Sequence, residues 1–204
     1  MHIYIVFAHP SRRSFTYSVL KSFEQGLQDG GCSFETGDLY KMNFRTDMSL
    51  SEYERETSLN VDAGLPDDVI AEQRKIAKAD ALVFIYPVWW SDCPAKLKGW
   101  FDRVWTYGYA YTYDEDGGHA KSKINIDKAL VICPAGHTED YLEEIGIAES
   151  MRRIMLGDRL SGVGIKEVKM EILGGQVFND NTIRKKNLEK AYQLGKSFNS
   201  IFPD

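Results

Sequence analysis

Residues 84–113 read FIYPVWWSDCPAKLKGWFDRVWTYGYAYTY. The segment from Ala81 to Tyr86 is almost wholly apolar, which predicts a buried central strand of a parallel sheet. Pro87 cannot donate to a sheet ladder and therefore ends the strand, whereas Pro94 suits the first turn of a helix. An apolar stripe at helical spacing predicts that helix, and it consists of Leu97, Trp100, Phe101, Val104 and Trp105.

Two tryptophans, Trp89 and Trp90, fall in the loop between this strand and this helix. A pair of indoles in such a loop is suited to a flat aromatic ligand. The alternative is that they pack in the core or at a subunit interface, and the loop alone leaves both interpretations open.

The length and composition favour a single-domain protein that binds no nucleic acid and does not enter a membrane. A length of 204 residues predicts a single domain over residues 1–204. Three cysteines without paired spacing predict a reduced, cytoplasmic setting. The formal net charge of −5 argues against nucleic acid as a partner. Because no apolar run approaches the length of a membrane span, we expect no membrane insertion.

Strands and helices alternate along the chain. We predict strands at His2–Ala8, Cys32–Asp38, Ala81–Tyr86, Lys128–Cys133 and Gly164–Ile172. We predict the other helices from Ser14 to Gly30 and at Asp67–Lys78, Tyr141–Leu156 and Thr182–Phe198. Such alternation implies an α/β fold with a parallel sheet and helices on both faces. The expected architecture is a flavodoxin-like three-layer sandwich with five parallel strands in the order 2-1-3-4-5.

Ligands in such a sheet bind beyond the carboxyl ends of the strands. Three loops lie there, namely His9–Arg13, Pro87–Cys93 and Pro134–Asp140. The first loop opens a helix, whose free N–H groups attract phosphate, and it carries Arg12 and Arg13. The alternative is that Ser14 only caps the helix. No dinucleotide glycine fingerprint and no P-loop motif is present.

Other reactive residue types give weaker signals. Cys133 has no adjacent base and is interpreted as a small core residue. The four histidines are scattered without ligand spacing, so we expect no metal site. The tyrosines at 107, 109, 111 and 113 alternate, which predicts an extended segment with one tyrosine face, a patch for a partner, or both. A polar loop is expected over Asp114–Lys123.

Taken together, these residues resemble one family. The chain is similar, over nearly its whole length, to the flavodoxin-like NAD(P)H:quinone oxidoreductases, the DT-diaphorase group and its short bacterial relatives. The most specific segment is PAKLKGWFDRV at residues 94–104. The resemblance also rests on Ala8–Phe15, Asp38–Phe44, Val69–Lys75, Pro87–Trp105 and Tyr109–Tyr113.

The resemblance implies a homodimer with bound flavin that transfers a hydride from NAD(P)H to quinones or similar planar acceptors by a ping-pong mechanism. FAD is the expected cofactor because of Arg13 and the long loop Asn43–Pro66, with FMN possible. The implied catalytic residues are Trp90, Gly136 and Tyr141. The implied flavin-binding residues are His9, Arg13, Ser14, Phe15, Thr16, Pro87, Val88, Trp89, Trp90, Ser91, Cys133, Pro134, Ala135, Gly136 and Tyr141. The implied substrate-binding residues are Trp90, Ser91, His137 and, reaching into the partner's pocket, Tyr111 and Tyr113.

The chain departs from the family pattern at three places. The family's Thr-Thr-Gly-Gly loop is Cys133-Pro-Ala-Gly136 here, and the proline removes one N–H. The histidine that follows the tyrosine is missing, and His137 is the candidate to replace it. Ser91 stands where the family has a bulky aromatic. We expect the N–H groups of Ala135 and Gly136, together with Tyr141, to stabilise negative charge on the reduced flavin.

A second hypothesis comes from another class of protein. Some relatives are ancillary, regulatory subunits of potassium-efflux membrane systems, and the chain length fits that group. The acidic segment 114–116 would then contact a basic partner surface, whereas the favoured alternative is that it is a solvated loop.

Overall fold

The computed structural model describes residues 1–114 and 120–202. Five strands form one sheet in the order β2-β1-β3-β6-β7, and all four pairings are parallel. This confirms the predicted sandwich, because β6 and β7 are the fourth and fifth strands of the sheet. The strands are β1 (His2–Phe7), β2 (Ser33–Asp38), β3 (Ala81–Ile85), β6 (Lys128–Pro134) and β7 (Glu167–Leu173).

Helices cover both faces of this sheet. They are α1 (Phe15–Asp29), α2 (Leu50–Thr57), α3 (Asp67–Ile76), α4 (Ala95–Val104), α5 (Glu139–Glu144), α6 (Ile147–Arg152) and α7 (Asn181–Lys196). A π-helical segment, Arg153–Leu160, continues α6. Short 3₁₀ turns lie at Ser161–Val163, Gln176–Phe178 and Phe198–Ser200.

Alternate residues of each central strand face opposite layers, as the pleat requires. Ile3, Ile5 and Phe7 of β1 join the core under α1 and α7. Tyr4 and Val6 join the core under α3, α4 and α6. Because both faces are covered, β1, β3 and β6 are apolar throughout their centres.

Helices α1 and α7 pack so closely that a side chain is excluded at the contact. A Cβ at Gly26 would overlap the carbonyl oxygen of Tyr192, and a Cβ at Gly195 would overlap that of Phe23. Glycine at both positions therefore sets the distance between the two helices.

The long connection after β2 is held down by a buried arginine. Arg103 of α4 is fully buried; it donates to Glu52 of α2 at 2.7 Å and to both carboxylate oxygens of Asp68 at 2.6 and 2.8 Å. Glu52 also forms a capping box with Ser49. The helix α2 in this connection is therefore fixed against α3 and α4.

The prediction of one continuous helix over Tyr141–Leu156 is wrong. The chain breaks between α5 and α6 at Gly146, which has a φ of 73°, a value in the left-handed region that favours glycine. The strand expected from Gly164 begins only at Glu167.

The prediction of an extended segment over the four alternating tyrosines is also wrong in part. A turn at Gly108, with a φ of 85°, interrupts it, and only β4 (Tyr111–Tyr113) is a strand. β4 pairs antiparallel with β5 (Ala120–Ser122), within the expected loop Asp114–Lys123. Residues 115–119 of that loop, with most of the acidic segment 114–116, lie outside the described residues.

Two kinds of feature are absent from residues 1–114 and 120–202. No helix there is long and apolar enough to cross a membrane. No group of three or more His, Cys, Asp or Glu side chains there is arranged to hold a metal ion.

Candidate active site

The three loops expected to form the site are in contact at the carboxyl edge of the sheet. The N–H of Val88 donates to the carbonyl of Pro134 at 2.8 Å, which joins the β3–α4 loop to the β6–α5 loop. The ring of His9 packs edge-on against the indole of Trp89, with centroids 5.8 Å apart. One continuous surface therefore runs across all three loops.

A cavity of about 440 Å³ opens between the second and third loops. Its lining includes all three predicted catalytic residues, Trp90, Gly136 and Tyr141, with Ser91 and His137. Trp90 is 100 % exposed, so the interpretation of this indole as a core residue is wrong for the chain as described. The remaining lining residues are Val88, Ala135, Leu142, Ile145 and Ile147.

One wall of the cavity presents backbone donors. The carbonyls of Ala135, Gly136 and His137 accept hydrogen bonds from Gln176, Val177 and Gly175 at 2.9–3.1 Å. Within the described chain, the N–H groups of Gly136 and His137 have no partner. The expectation for Ala135 is wrong, because its N–H already donates to the carbonyl of Leu173 at 3.1 Å. The available donors are therefore those of Gly136 and His137.

Another part of the lining is a tight two-residue turn. The N–H of Trp89 donates to the carbonyl of Asp92 at 3.0 Å, and the reverse bond measures 3.2 Å. The two central residues, Trp90 and Ser91, have φ values of 49° and 64°. Left-handed backbone at two non-glycine residues is costly and is typical of functional sites.

The first loop contains a helix cap and two exposed cations. The Ser14 hydroxyl caps α1 by accepting the N–H of Tyr17 at 3.1 Å, so the capping interpretation is confirmed. Arg12 and Arg13 are exposed, and neither guanidinium has a partner in the described part of the chain. Burial lowers the pKa of the His9 imidazole below its ordinary value, which favours a neutral ring. A second cavity, of about 390 Å³, is lined by His9, Pro10, Arg12, Asp38, Tyr40 and Lys41.

Arg184 was not found from the sequence. It lies in the first turn of α7, half-buried, with its guanidinium 5.7 Å from the ring of Phe15. Its Nε is buried and has no partner among the described residues. Because α7 follows β7, its N-terminus lies at the same edge of the sheet as the three loops, and this is the only signal that the sequence offers for Arg184.

Several predicted flavin-binding residues lie inside the protein. Thr16 and Pro87 are buried, and Phe15 is half-buried. Cys133 and Pro134 belong to β6 and are fully covered. Burial raises the pKa of the Cys133 thiol well above its ordinary value, so this side chain is an inert core residue. The Cys133 and Pro134 side chains do not line the cavity.

The comparisons with known proteins agree with this geometry. A family model described as having a flavodoxin-like fold matches residues 1–194. A solved NAD(P)H:quinone oxidoreductase from Methanothermobacter marburgensis is 58 % identical, with a TM-score of 0.92 over 97 % of this chain and 98 % of that one. The chain belongs to the flavodoxin-like NAD(P)H:quinone oxidoreductases.

Two curated relatives of this family member are more distant. An uncharacterized NAD(P)H oxidoreductase of Haemophilus influenzae is 34 % identical over 95 % of this chain and 93 % of its own length. NAD(P)H dehydrogenase [quinone] 1 of Cavia porcellus is 34 % identical over 74 % of this chain. The match spans only 59 % of the length of the guinea pig protein.

The oxidoreductase fold brings His137 to Tyr141. Their rings lie 4.9 Å apart and tilted by 47° at the mouth of the cavity. The histidine that the family carries after the tyrosine is missing from this chain, so His137 is the imidazole beside Tyr141. Its role there stays a prediction.

The predicted substrate tyrosines lie elsewhere in the same chain. Tyr111 and Tyr113 form a ring cluster with Tyr107, with centroids 5.8–5.9 Å apart. Glu56 of α2 holds this cluster by accepting the N–H of Tyr107 at 2.8 Å. Burial, and then the Glu56 carboxylate, raise the pKa of Tyr111 to about 12. Tyr109 lies apart and donates to the carbonyl of Gln73 at 3.1 Å. Neither Tyr111 nor Tyr113 lines the cavity of Trp90.

Proposed function

We propose that this chain is a flavin-dependent oxidoreductase that passes two electrons from NAD(P)H to quinones or similar planar acceptors. One observation carries the proposal: a single cavity is lined by an exposed indole, Trp90, and by Gly136 and His137, whose N–H groups have no partner among the described residues. An aromatic surface facing a row of donors is suited to a flat molecule whose edge becomes negatively charged.

The described residues fit a flavin on two independent counts. Among the described residues, the buried Nε of Arg184 lacks a partner, as do the N–H groups of Gly136 and His137 in the cavity lining. Buried donors are nearly always paired, so a ligand with acceptor atoms satisfies them. The flavin supplies the hydride chemistry when it is bound, and the ping-pong order of substrates belongs to the same proposal.

Each wall of the site has its own task in this proposal. The N–H groups of Gly136 and His137 donate to negative charge that develops at the ring edge, which a fixed dipole stabilises without rearrangement. Trp90 offers an aromatic face to a planar acceptor. Tyr141, beside His137, closes the end of the cavity. The Ser91 side chain is small, so this wall leaves more room for the acceptor than an aromatic residue would.

The cofactor is proposed to be FAD. The long connection contacts α3, α4 and the tyrosine cluster, so its contacts do not favour FAD over FMN. The stronger support is a third cation, Arg184, beside the loop of Arg12 and Arg13. Three cations and the N-terminus of α1 suit a cofactor with two phosphates.

A homodimer is proposed from the surface next to the tyrosine cluster. Leu50 and Tyr53 of α2 and the nearby Val61 are 70 %, 57 % and 54 % exposed. A second copy that covers this patch would account for its apolar character. The same contact would bring Tyr111 and Tyr113 to the partner's cavity, as the resemblance implies. Light scattering that gave the mass of a monomer at micromolar concentration would contradict this proposal.

The main experiment uses purified protein freed of cofactor. We expect it to bind FAD more tightly than FMN, with quenching of flavin fluorescence. NADH or NADPH should then reduce the bound flavin once without an acceptor, and continuous oxidation of the nicotinamide should require a quinone such as menadione. Initial rates at several quinone concentrations should give parallel double-reciprocal lines. A protein that binds neither flavin, or that binds one without oxidising either nicotinamide, contradicts the proposed function.

A further inference from the structure

The strained turn at Trp90 has no support from its own side chains. Trp90 and Ser91 are both exposed, and their N–H groups have no partner in the described chain. Backbone in a sparsely populated region persists only when the surrounding structure holds it. The restraint must therefore act at the ends of the turn, on Trp89 and Asp92.

At the C-terminal end of the turn, Asp92 forms an ion pair with Arg159. The two guanidinium Nη atoms donate to the two carboxylate oxygens of Asp92, at 2.9 Å each. The same carboxylate accepts the N–H of Cys93 at 2.6 Å. A bidentate pair of this kind fixes the direction of the Asp92 side chain as well as its distance from Arg159. It therefore sets the angle between the turn and the helix α4 that follows it.

Arg159 is itself buried and makes contacts with several neighbouring residues. It is 9 % exposed, its guanidinium lies 5.5 Å from the ring of Phe101, and Nη1 is 3.4 Å from the Sγ of Cys93. Its carbonyl accepts the indole N–H of Trp105 at 2.8 Å. The residue belongs to the π-helical segment, a rare geometry that is frequent at functional sites. Arg159 therefore has little freedom to leave Asp92.

We propose that Arg159 is a positioning residue, which acts through Asp92 to keep the turn in its left-handed form and so holds Trp90 at the cavity. Without the pair, the central residues relax to ordinary backbone and the indole leaves the wall that faces Gly136. The inference deepens the proposed function and rests on it for the role of Trp90. The restraint on the turn itself needs no cofactor.

The first test therefore uses the cofactor-free protein labelled with 5-fluorotryptophan. The chain has four tryptophans, and Trp90→Phe identifies the ¹⁹F signal of Trp90. We expect Arg159→Lys and Asp92→Asn to split, broaden or shift this signal by more than its line width. The matched control is Arg153→Lys, in an exposed pair with Glu149 on the same segment, which should leave the signal unchanged. A Trp90 signal that is unchanged in both folded variants overturns the proposal.

A rescue variant separates positioning from simple stability. Glycine is preferred at the second central position of such a turn, so Ser91→Gly lowers the strain that the pair has to overcome. Combined with Arg159→Lys, it should return the Trp90 signal towards that of Ser91→Gly alone. Equal effects of Arg159→Lys with and without Ser91→Gly would show an ion pair that only stabilises the fold, and would overturn the proposal.

Kinetics connect the restraint with the activity. In flavin-loaded protein, Arg159→Lys should raise the KM for the quinone by at most the factor expected for loss of the Trp90 contact, about two- to twelvefold, and change kcat less than threefold. Should wild-type protein show no quinone reduction while the ¹⁹F result holds, the proposed function fails and the restraint on the turn stands. Should the wild type be active while Arg159→Lys leaves both the ¹⁹F signal and the KM unchanged, the restraint fails and the function stands.

Discussion

The indole N–H of Trp100 donates a hydrogen bond of 2.8 Å to the carboxylate of Glu72. Both side chains are fully covered, and the pair joins α4 to α3 beneath the site. The hydroxyl of Tyr4 in β1 donates to the same carboxylate, as does the Nζ of Lys75 at 2.7 Å. Glu72 therefore connects a central strand with two helices, and the helix that follows the Trp90 turn rests on it.

Removing this carboxylate should destabilise the fold strongly. Glu72→Ala leaves three donors unpaired, two of them buried, and we expect a loss of about 3–5 kcal/mol in the free energy of unfolding. Urea unfolding of the cofactor-free protein measures it. Asp102→Ala, which breaks an exposed pair with Lys98, is the control and should cost less than about 1 kcal/mol. A similar small loss for both variants would contradict the central role of Glu72.

The Asp68–Arg103 pair should make stability depend on pH. Hydrogen bonds from Arg103 hold the pKa of Asp68 below its ordinary value. The stabilisation is therefore fully present above the unfolded-state pKa, about 3.9, and is lost as the pH falls through the lower, folded-state pKa. Asp68→Asn should destabilise by about 2 kcal/mol at pH 7, and the difference from wild type should shrink below pH ~4. A difference that stays constant from pH 7 to pH 3 would refute this linkage.

The close contact of α1 with α7 predicts an unusual effect of alanine. Alanine is ordinarily better than glycine inside a helix by about 1 kcal/mol. At Gly26 its Cβ would meet the backbone of α7, so we expect Gly26→Ala to destabilise by about 1–3 kcal/mol. Gly157→Ala is the control, because no atom lies within 4 Å of its added Cβ. A melting temperature that rises in both variants would show that α1 and α7 can move apart to admit the Cβ without loss of stability.

Substituting the exposed indole should affect activity and leave stability unchanged. Trp90→Ala removes no buried contact, so the melting temperature of the cofactor-free protein should change by less than about 2 °C. The KM for a quinone should rise about two- to twelvefold, since an aromatic contact contributes about 0.5–1.5 kcal/mol. Trp90→Phe keeps an aromatic face and should retain most of the affinity. A large loss of stability in Trp90→Ala would show that this indole packs in the core and would contradict the prediction.

Arg184 should contribute to binding of the cofactor. Its Nε has no partner in the part of the chain that the structure describes, so Arg184→Met should leave the unfolding free energy nearly unchanged. A hydrogen bond to a charged group contributes about 1.5–3 kcal/mol, so the Kd for FAD should rise about tenfold or more. The effect on FMN should be smaller if the cation serves the second phosphate. Lys185→Met, the exposed neighbour, is the control, and equal Kd changes in both variants would argue against a specific contact.

Much of the fold followed from local pattern. Apolar runs of five to seven residues, each followed by a helix, define parallel strands, because both faces of such strands are buried. The carboxyl ends of those strands lie at one edge, so the loops that carry Trp90, Gly136 and Tyr141 had to meet there. The sequence therefore determined that these three residues share a cavity, which they line together in the structure. It did not indicate Arg184.

Tertiary structure decided what those residues are free to do. The N–H of Ala135 is taken by Leu173, and Asp92 finds its partner 67 residues away in Arg159. The left-handed backbone at Gly146 divides a segment whose apolar pattern reads as one helix. Each of these outcomes depends on contacts between distant parts of the chain, and periodicity carries no information about them. The sequence by itself determined the strand order and which loops meet at the site, because both follow from local apolar pattern, whereas long-range packing decided which donors are open and how Trp90 is held.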